Sequence, residues 1–204
     1  MKPLKAAELR LRDGLDRLRG RHDPLIPPRR LNFVGPGDFA ATGEEFLGHF
    51  TALAGLRPDE RVLDVGCGIG RMARPLARYL VPPGAYAGFD VVPEAIAWCT
   101  RAYAGLPHFA FHLAEVRNAV YRPDSGVPAA EYRFPFPDAA FDFAFATSVF
   151  THLLPTDAER YLAELARVVR PGGRVLLTFF VLDDDARERQ AAGTTELAFT
   201  ASHG

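Results

Sequence analysis

Cysteine is nearly absent from this chain: Cys67 and Cys99 are the only two. Two thiols without metal-ligand spacing make neither a disulfide framework nor a zinc site, and they suit a reducing compartment, so a cytoplasmic protein is expected. No stretch of about 18 apolar residues occurs, and no basic-then-apolar leader, so neither a membrane span nor a signal peptide is expected. Excess charge is missing too. The formal net charge is −1, which gives no general field attracting nucleic acid or an anionic membrane. There are no internal repeats and no low-complexity tracts. What remains is ordinary in bulk: 204 residues, 48% hydrophobic and 24% charged, describe one globular domain with a single substantial core.

Residues 1–41 differ in pattern from residues 42–204. Leu4, Leu9, Leu11, Leu15 and Leu18 recur at roughly helical spacing among Lys5, Arg10, Arg12, Arg17, Arg19 and Arg21. This reads as a basic amphipathic helix ended by Gly20, Pro24, Pro27 and Pro28. Such a helix can contact RNA or lipid headgroups, but a solvated helix packed on its own domain is the favoured reading. From Thr42 the alternation becomes regular. Thr42 with Glu45 forms a capping box opening a helix to about residue 53. A strand at 62–65, a helix at 71–80, a strand at 85–89 and a helix at 93–103 follow, the last opened by Pro93 in its first turn. Then come a strand at 108–114, an irregular stretch at 115–138 with at most one short helix, and a buried strand at 141–147. Thr156 with Glu159 forms a second capping box, and Pro171-Gly172-Gly173 turns the chain into a fifth strand at 175–182. Alternating strands and helices predict an α/β fold with a doubly wound, mostly parallel sheet.

The most informative segment is Arg61-Val62-Leu63-Asp64-Val65-Gly66-Cys67-Gly68-Ile69-Gly70-Arg71. A glycine-rich turn between a buried strand and a helix brings backbone N–H groups close to a ligand, as in nucleotide-cofactor sites. The dinucleotide fingerprint G-x-G-x-x-G needs a third glycine where this chain has Arg71. The pattern present is D-x-G-x-G-x-G, from Asp64 to Gly70, and it resembles motif I of the class I S-adenosylmethionine-dependent methyltransferases. Three further segments resemble the same family: Gly88-Phe89-Asp90 at the second strand end, residues 141–153 around the fourth strand, and residues 165–177 around the Pro-Gly-Gly turn. Together they span 61–182.

The resemblance implies a Rossmann-like methyltransferase fold, S-adenosylmethionine as cofactor, and a cofactor site built from Asp64, Gly66, Cys67, Gly68, Gly70, Arg71, Asp90, Val91, Glu115, Val116 and Thr147. Asp90 lies twenty residues after Gly70, where a carboxylate accepts charge-assisted bonds from a ribose diol; its other reading is a cap on the next helix. Val91 adjoins it. Glu115 would accept the adenine amino group, with Val116 against the ring. Ala146, Thr147 and Ser148 would offer carbonyls to the cofactor's ammonium group. Asp64 would orient the loop or bind that ammonium through water. Cys67 fits by its small size, not as a nucleophile. Arg71, a cation placed against the helix macrodipole, makes sense facing an anion, either the cofactor carboxylate or an acidic substrate. Residues 32–46 would fold over the methionine end. His152, past the fourth strand, is the candidate general base, with cofactor enclosure its other role. No metal site is expected.

Methyl transfer from a sulfonium needs mostly alignment and water exclusion, which accords with the lack of a catalytic triad. The expected function is S-adenosylmethionine-dependent methyl transfer to a small-molecule acceptor. A non-catalytic cofactor-binding remnant and an NAD(P)-dependent oxidoreductase are the alternatives. Tyr121, Tyr132, Phe134 and Phe136 either line an acceptor pocket or pin their loop to the core. The family usually continues past the fifth strand with a helix and an antiparallel hairpin. Only residues 183–204 follow here, with one short strand at 196–200 at most, so a shortened fold lacking that hairpin is expected, its fifth strand poorly covered.

Overall fold

The computed structural model of the protein describes residues 9, 11, 13–14, 23–32, 37–117, 126–181 and 183–195. Five strands, β1 (Arg61–Val65), β2 (Ala85–Asp90), β3 (Phe109–Leu113), β4 (Phe141–Ala146) and β5 (Val169–Leu177), form one sheet in the order β3-β2-β1-β4-β5. Every neighbouring pair is parallel. The described helices are α1 (Phe39–Ala52), α2 (Ala73–Tyr79), α3 (Pro93–Ala102), α4 (Pro155–Val168) and α5 (Asp184–Ala191). None of them is long and apolar enough to cross a membrane.

A parallel sheet is buried on both faces, so its central strands read as continuous apolar runs whose side chains alternate between two cores. Val62, Tyr86, Phe143 and Phe145 face one core with Phe50, Leu76 and Trp98 from α1, α2 and α3. Leu63, Val65, Phe89 and Ala144 face the other, with Tyr161, Leu165 and Val168 of α4. Helices on both faces make the sheet doubly wound. From β1 the chain winds outward to β2 and β3, then returns to lay β4 on the other side of β1. The strand order therefore reverses between β1 and β4, and a crevice opens beyond their carboxyl ends.

Several element boundaries differ from the sequence expectation. Helix α1 starts at Phe39, because Asp38 accepts a 2.7 Å hydrogen bond from the Ala41 N–H and caps it; Thr42 lies inside the helix and caps nothing. Helix α4 has no side-chain cap: Pro155, with its fixed φ, starts it, so Thr156 and Glu159 form no capping box. Helix α2 starts at Ala73, which leaves Arg71 in the preceding turn and not in a helical first turn. Strand β5 runs Val169–Leu177 and contains Pro171-Gly172-Gly173 as a bulge; Phe141 pairs with Val169 but Phe143 with Arg174. The charged run after β5 is helix α5, capped by Asp183.

Tyr132 and Phe134 are buried in the core beneath α4, with Phe136 packed against it. They pin the loop to the core; Tyr121 lies outside the described residues. So do the expected strand at 196–200, residues 33–36 of the lead-in, and most of the basic N-terminal helix, of which residues 9, 11, 13 and 14 are helical. Among the described residues the sheet has no antiparallel strand. Val175 on β5 and Phe179, Phe180 and Val181 after it are exposed.

An ion pair closes the bottom of the sheet. Glu60, 1% exposed, accepts bonds from Arg174 Nη1 at 2.8 Å and Nη2 at 2.5 Å. The Arg174 side chain also donates to the Ala54 carbonyl at 2.7 Å. The bonds from Arg174 hold the Glu60 carboxyl below its ordinary pKa. A depressed carboxyl pKa adds stability that is present above the unfolded pKa, about 4.3, and lost as pH falls through the folded value. Arg174→Met leaves Glu60 buried beside Arg57 alone, at a cost of about 3 kcal/mol at pH 7. Urea melts should show this gap shrinking below about pH 4; a pH-independent gap would mean that packing, not charge, sets it.

Candidate functional site

The crevice floor is the turn after β1. Gly66, Gly68 and Gly70 have φ of +76°, +51° and +78°, a region that costs L-residues roughly 1–2 kcal/mol each. Gly66 also has no room for a side chain: a Cβ there would stand 2.4 Å from Val149 Cγ2. The Gly66 and Cys67 N–H groups both donate to the Phe89 carbonyl, at 2.9 and 3.0 Å, folding the turn onto β2. Asp90, half-buried at the end of β2, binds the turn from the side. Its Oδ2 accepts from the Gly68 N–H at 2.8 Å and its Oδ1 from the Val92 N–H at 2.9 Å. It thus serves both the glycine turn and the entry to α3. Burial raises the Asp90 pKa despite opposing bonds from the Val92, Gly68 and Val91 N–H groups. Val91 is half-buried beside it, and Phe39 packs on Ile69 of the turn.

Beneath the turn lies a buried polar cluster. Asp64 is 1% exposed. Its Oδ2 accepts a 2.7 Å bond from the Tyr86 hydroxyl, while Oδ1 has no hydrogen-bond partner among the described residues. Burial, and secondarily the charge of Asp90, push its pKa up to about 8 against the lowering effect of the Tyr86 bond. Tyr86 reaches Asp64 because residue 88 is glycine: a Cβ there would lie 2.7 Å from the Tyr86 hydroxyl and 2.8 Å from Cys67 Cβ. Cys67 and Cys99 are free and buried, and burial raises both thiol pKa values. Neutral, enclosed thiols are not nucleophiles. The Tyr103 hydroxyl donates to the Gly70 carbonyl at 3.3 Å.

The opposite wall follows β4. Thr147 is half-buried, and Ser148 has φ +58°. The Ser148 N–H donates to Thr178 Oγ1 at 2.8 Å, and the Thr178 N–H donates to the Ala146 carbonyl at 3.2 Å. The Ala146 carbonyl thus already has a donor within the sheet. His152 is exposed at the end of the single turn Phe150–His152. Beyond β3, Ala114 donates to the Asp90 carbonyl, while Glu115 is exposed and Val116 buried against Val127.

Asp64, Gly66, Cys67, Gly68, Gly70, Asp90 and Val91 are therefore contiguous. Thr147 lies two residues before Val149, whose Cγ2 fills the space beside Gly66, and Glu115 and Val116 follow Ala114, whose N–H donates to the Asp90 carbonyl. Arg71 follows Gly70 in the turn, half-buried, with its carbonyl against α1, where a Cβ at Gly43 would stand 2.6 Å from it; burial lowers its pKa. Sequence reasoning missed Tyr86, Tyr103 and Val149. The available signal was Gly88, since a glycine inside a strand marks a close approach. No metal-binding cluster occurs among the described residues. A shallow groove of about 430 Å³ lined by Asp138, Leu165, Arg167, Arg170 and Val175 opens at the amino ends of β4 and β5, away from the crevice.

Comparison with known proteins gives the same frame. Residues 63–177 match the model of the "Methyltransferase domain" family. A fatty-acid O-methyltransferase of Mycolicibacterium smegmatis is 36% identical over 145 residues, covering 70% of this chain and 43% of that protein. The chain spans less than half the length of this and other curated relatives. The YcgJ protein of Bacillus subtilis superposes with a TM-score of 0.50 and 26% identity, over 66% of this chain and 50% of that one. A structure named the [4+2]-cyclase SpnF superposes with a TM-score of 0.50 and 25% identity, over 65% and 44%.

Proposed function

The chain belongs to the class I S-adenosylmethionine-dependent methyltransferases, and on that premise we propose that it transfers the methyl group of S-adenosylmethionine to a small-molecule acceptor. One observation carries the reading: the glycine turn, the Asp90 carboxylate and the turn after β4 meet where the strand order reverses. The residues fit the cofactor, since Gly66 keeps the floor clear of side chains and Asp64 Oδ1 is a buried acceptor with no donor among the described residues. In this reading the glycine turn and Asp64 hold the amino-acid end, with Thr147 opposite. Asp90 and Val91 hold the ribose, and Glu115 and Val116 the adenine. Membership of this family removes the ground for a nicotinamide-dependent oxidoreductase.

S-adenosylmethionine supplies a methyl group on a sulfonium, whose departing fragment is a neutral thioether. The chain's work is then to align the acceptor and exclude water. His152, exposed on the crevice rim, takes up the acceptor's proton on a ring nitrogen where the acceptor carries one. The fatty-acid O-methyltransferase relative supports a small acceptor.

Asp90→Ala removes the acceptor of the Gly68 and Val92 N–H groups and of the ribose, so S-adenosylhomocysteine affinity should fall roughly tenfold or more by calorimetry. Unchanged affinity would take Asp90 out of the site. The second reading, cofactor binding without methyl transfer, draws on the likeness to a protein named a cyclase. Mass spectrometry of an acceptor panel that includes free fatty acids separates the two: a product heavier by one methyl group supports transfer, and binding without product supports the second.

A further inference from the structure

Asp64 is placed where a charged carboxylate is poorly supported. It is closed off from solvent, it receives one hydrogen bond, and its second oxygen faces no donor among the described residues. A buried ionised carboxylate with an unfilled acceptor is costly, and the group escapes the cost by holding a proton. The titratable groups packed around it offer no countercharge. They are Tyr86 and Asp90 from β2, Cys67 from the glycine turn and Cys99 from α3, all neutral or negative. From β4 the paired residue is Phe145. Resting on the proposed function, we infer that Asp64 is a proton-exchange residue: it carries a proton in the free protein and gives it up to solvent when the cofactor's ammonium group arrives beside it. The O–H bond breaks, its electron pair stays on the carboxylate, and the arriving cation takes the place of the departing proton's charge. Burial that holds the carboxyl neutral up to about pH 8 agrees with this order of events.

The test uses the whole chain and S-adenosylhomocysteine, which carries the ammonium group of the cofactor. Titration calorimetry at pH 7 in phosphate and in Tris should give binding heats that differ by the buffer's ionisation enthalpy times nearly one proton released. In Asp64→Asn the difference should fall close to zero. Affinity of the unaltered chain should rise about tenfold per pH unit from pH 6 to 8 and level off above, whereas the Asn variant should stay flat. Tyr86→Phe removes the one bond favouring the carboxylate, so its plateau should begin at higher pH. Stability gives a ligand-free readout. A carboxyl pKa raised above its unfolded value contributes stability that is present at low pH and lost as pH rises towards 8, so the unaltered chain should lose more melting temperature than Asp64→Asn between pH 5 and 8. Binding heats independent of buffer, with affinity intact, would overturn the inference and leave the proposed function standing. Absence of any binding would overturn both.

Discussion

Phe134→Ala should lower the unfolding free energy by about 3–4 kcal/mol, or roughly 10 °C in Tm, and leave cofactor affinity unchanged below the melt. The ring is 1% exposed, with centroids 4.7 Å from Phe89 and 5.1 Å from Tyr161. It joins the loop before β4 to both β2 and α4. The same residue's N–H donates to Glu164 Oε2 at 2.8 Å, and the Arg167 guanidinium donates to its carbonyl at 3.1 Å, so side chain and backbone fix one point. A cavity there has walls set by the sheet on one side and a helix on the other, which relax little. Denaturant unfolding gives the answer. A loss under about 1 kcal/mol with an altered acceptor KM would return Phe134 to the acceptor pocket.

Gly66→Ala should weaken S-adenosylhomocysteine binding by on the order of 30-fold, about 2 kcal/mol. Two costs combine at this position. The φ of +76° is unfavourable for alanine, and the new methyl group would enter the space of Val149. Valine is stiff about χ1, so the collision is relieved by moving the turn after β4 away from the turn after β1, which widens the crevice. Calorimetry with a melt as control distinguishes local from global damage: a fall in stability alone, with full affinity in the folded fraction, would show that the turn tolerates the methyl group.

Much of the molecule was legible beforehand because its strongest signals are local. The apolar run at Val62, Leu63 and Val65, the glycines after it and the carboxylate at Asp90 each declare themselves within a few residues, and β1, β2 and their turn follow. Helix starts were less legible, because two start signals competed for each. Asp38 and Pro155 lie upstream of Thr42 and Thr156, and the upstream residue set the start in both cases. The Pro-Gly-Gly segment read as a turn because its residues favour one, yet pairing with β4 on both sides of it draws it into β5. The neutral cluster under the glycine turn was illegible for a different reason. Asp64 and Tyr86 stand 22 residues apart, and only the parallel register of β1 with β2, with Gly88 leaving the gap, brings them together. Phe134 carried too little information, since an aromatic ring in an irregular segment suits a pocket and a core equally.

The two bonds that Thr178 makes, to the Ser148 N–H and the Ala146 carbonyl, have a mechanical consequence. Ser148 precedes Val149, whose Cγ2 fills the space a side chain at Gly66 would need, so the chain leaving β5 and the floor of the crevice are linked through adjoining residues. The exposed Phe179, the residue after Thr178, has its ring centroid 5.1 Å from that of Phe150, so the segment leaving β5 is tied to the stretch after β4 at two points.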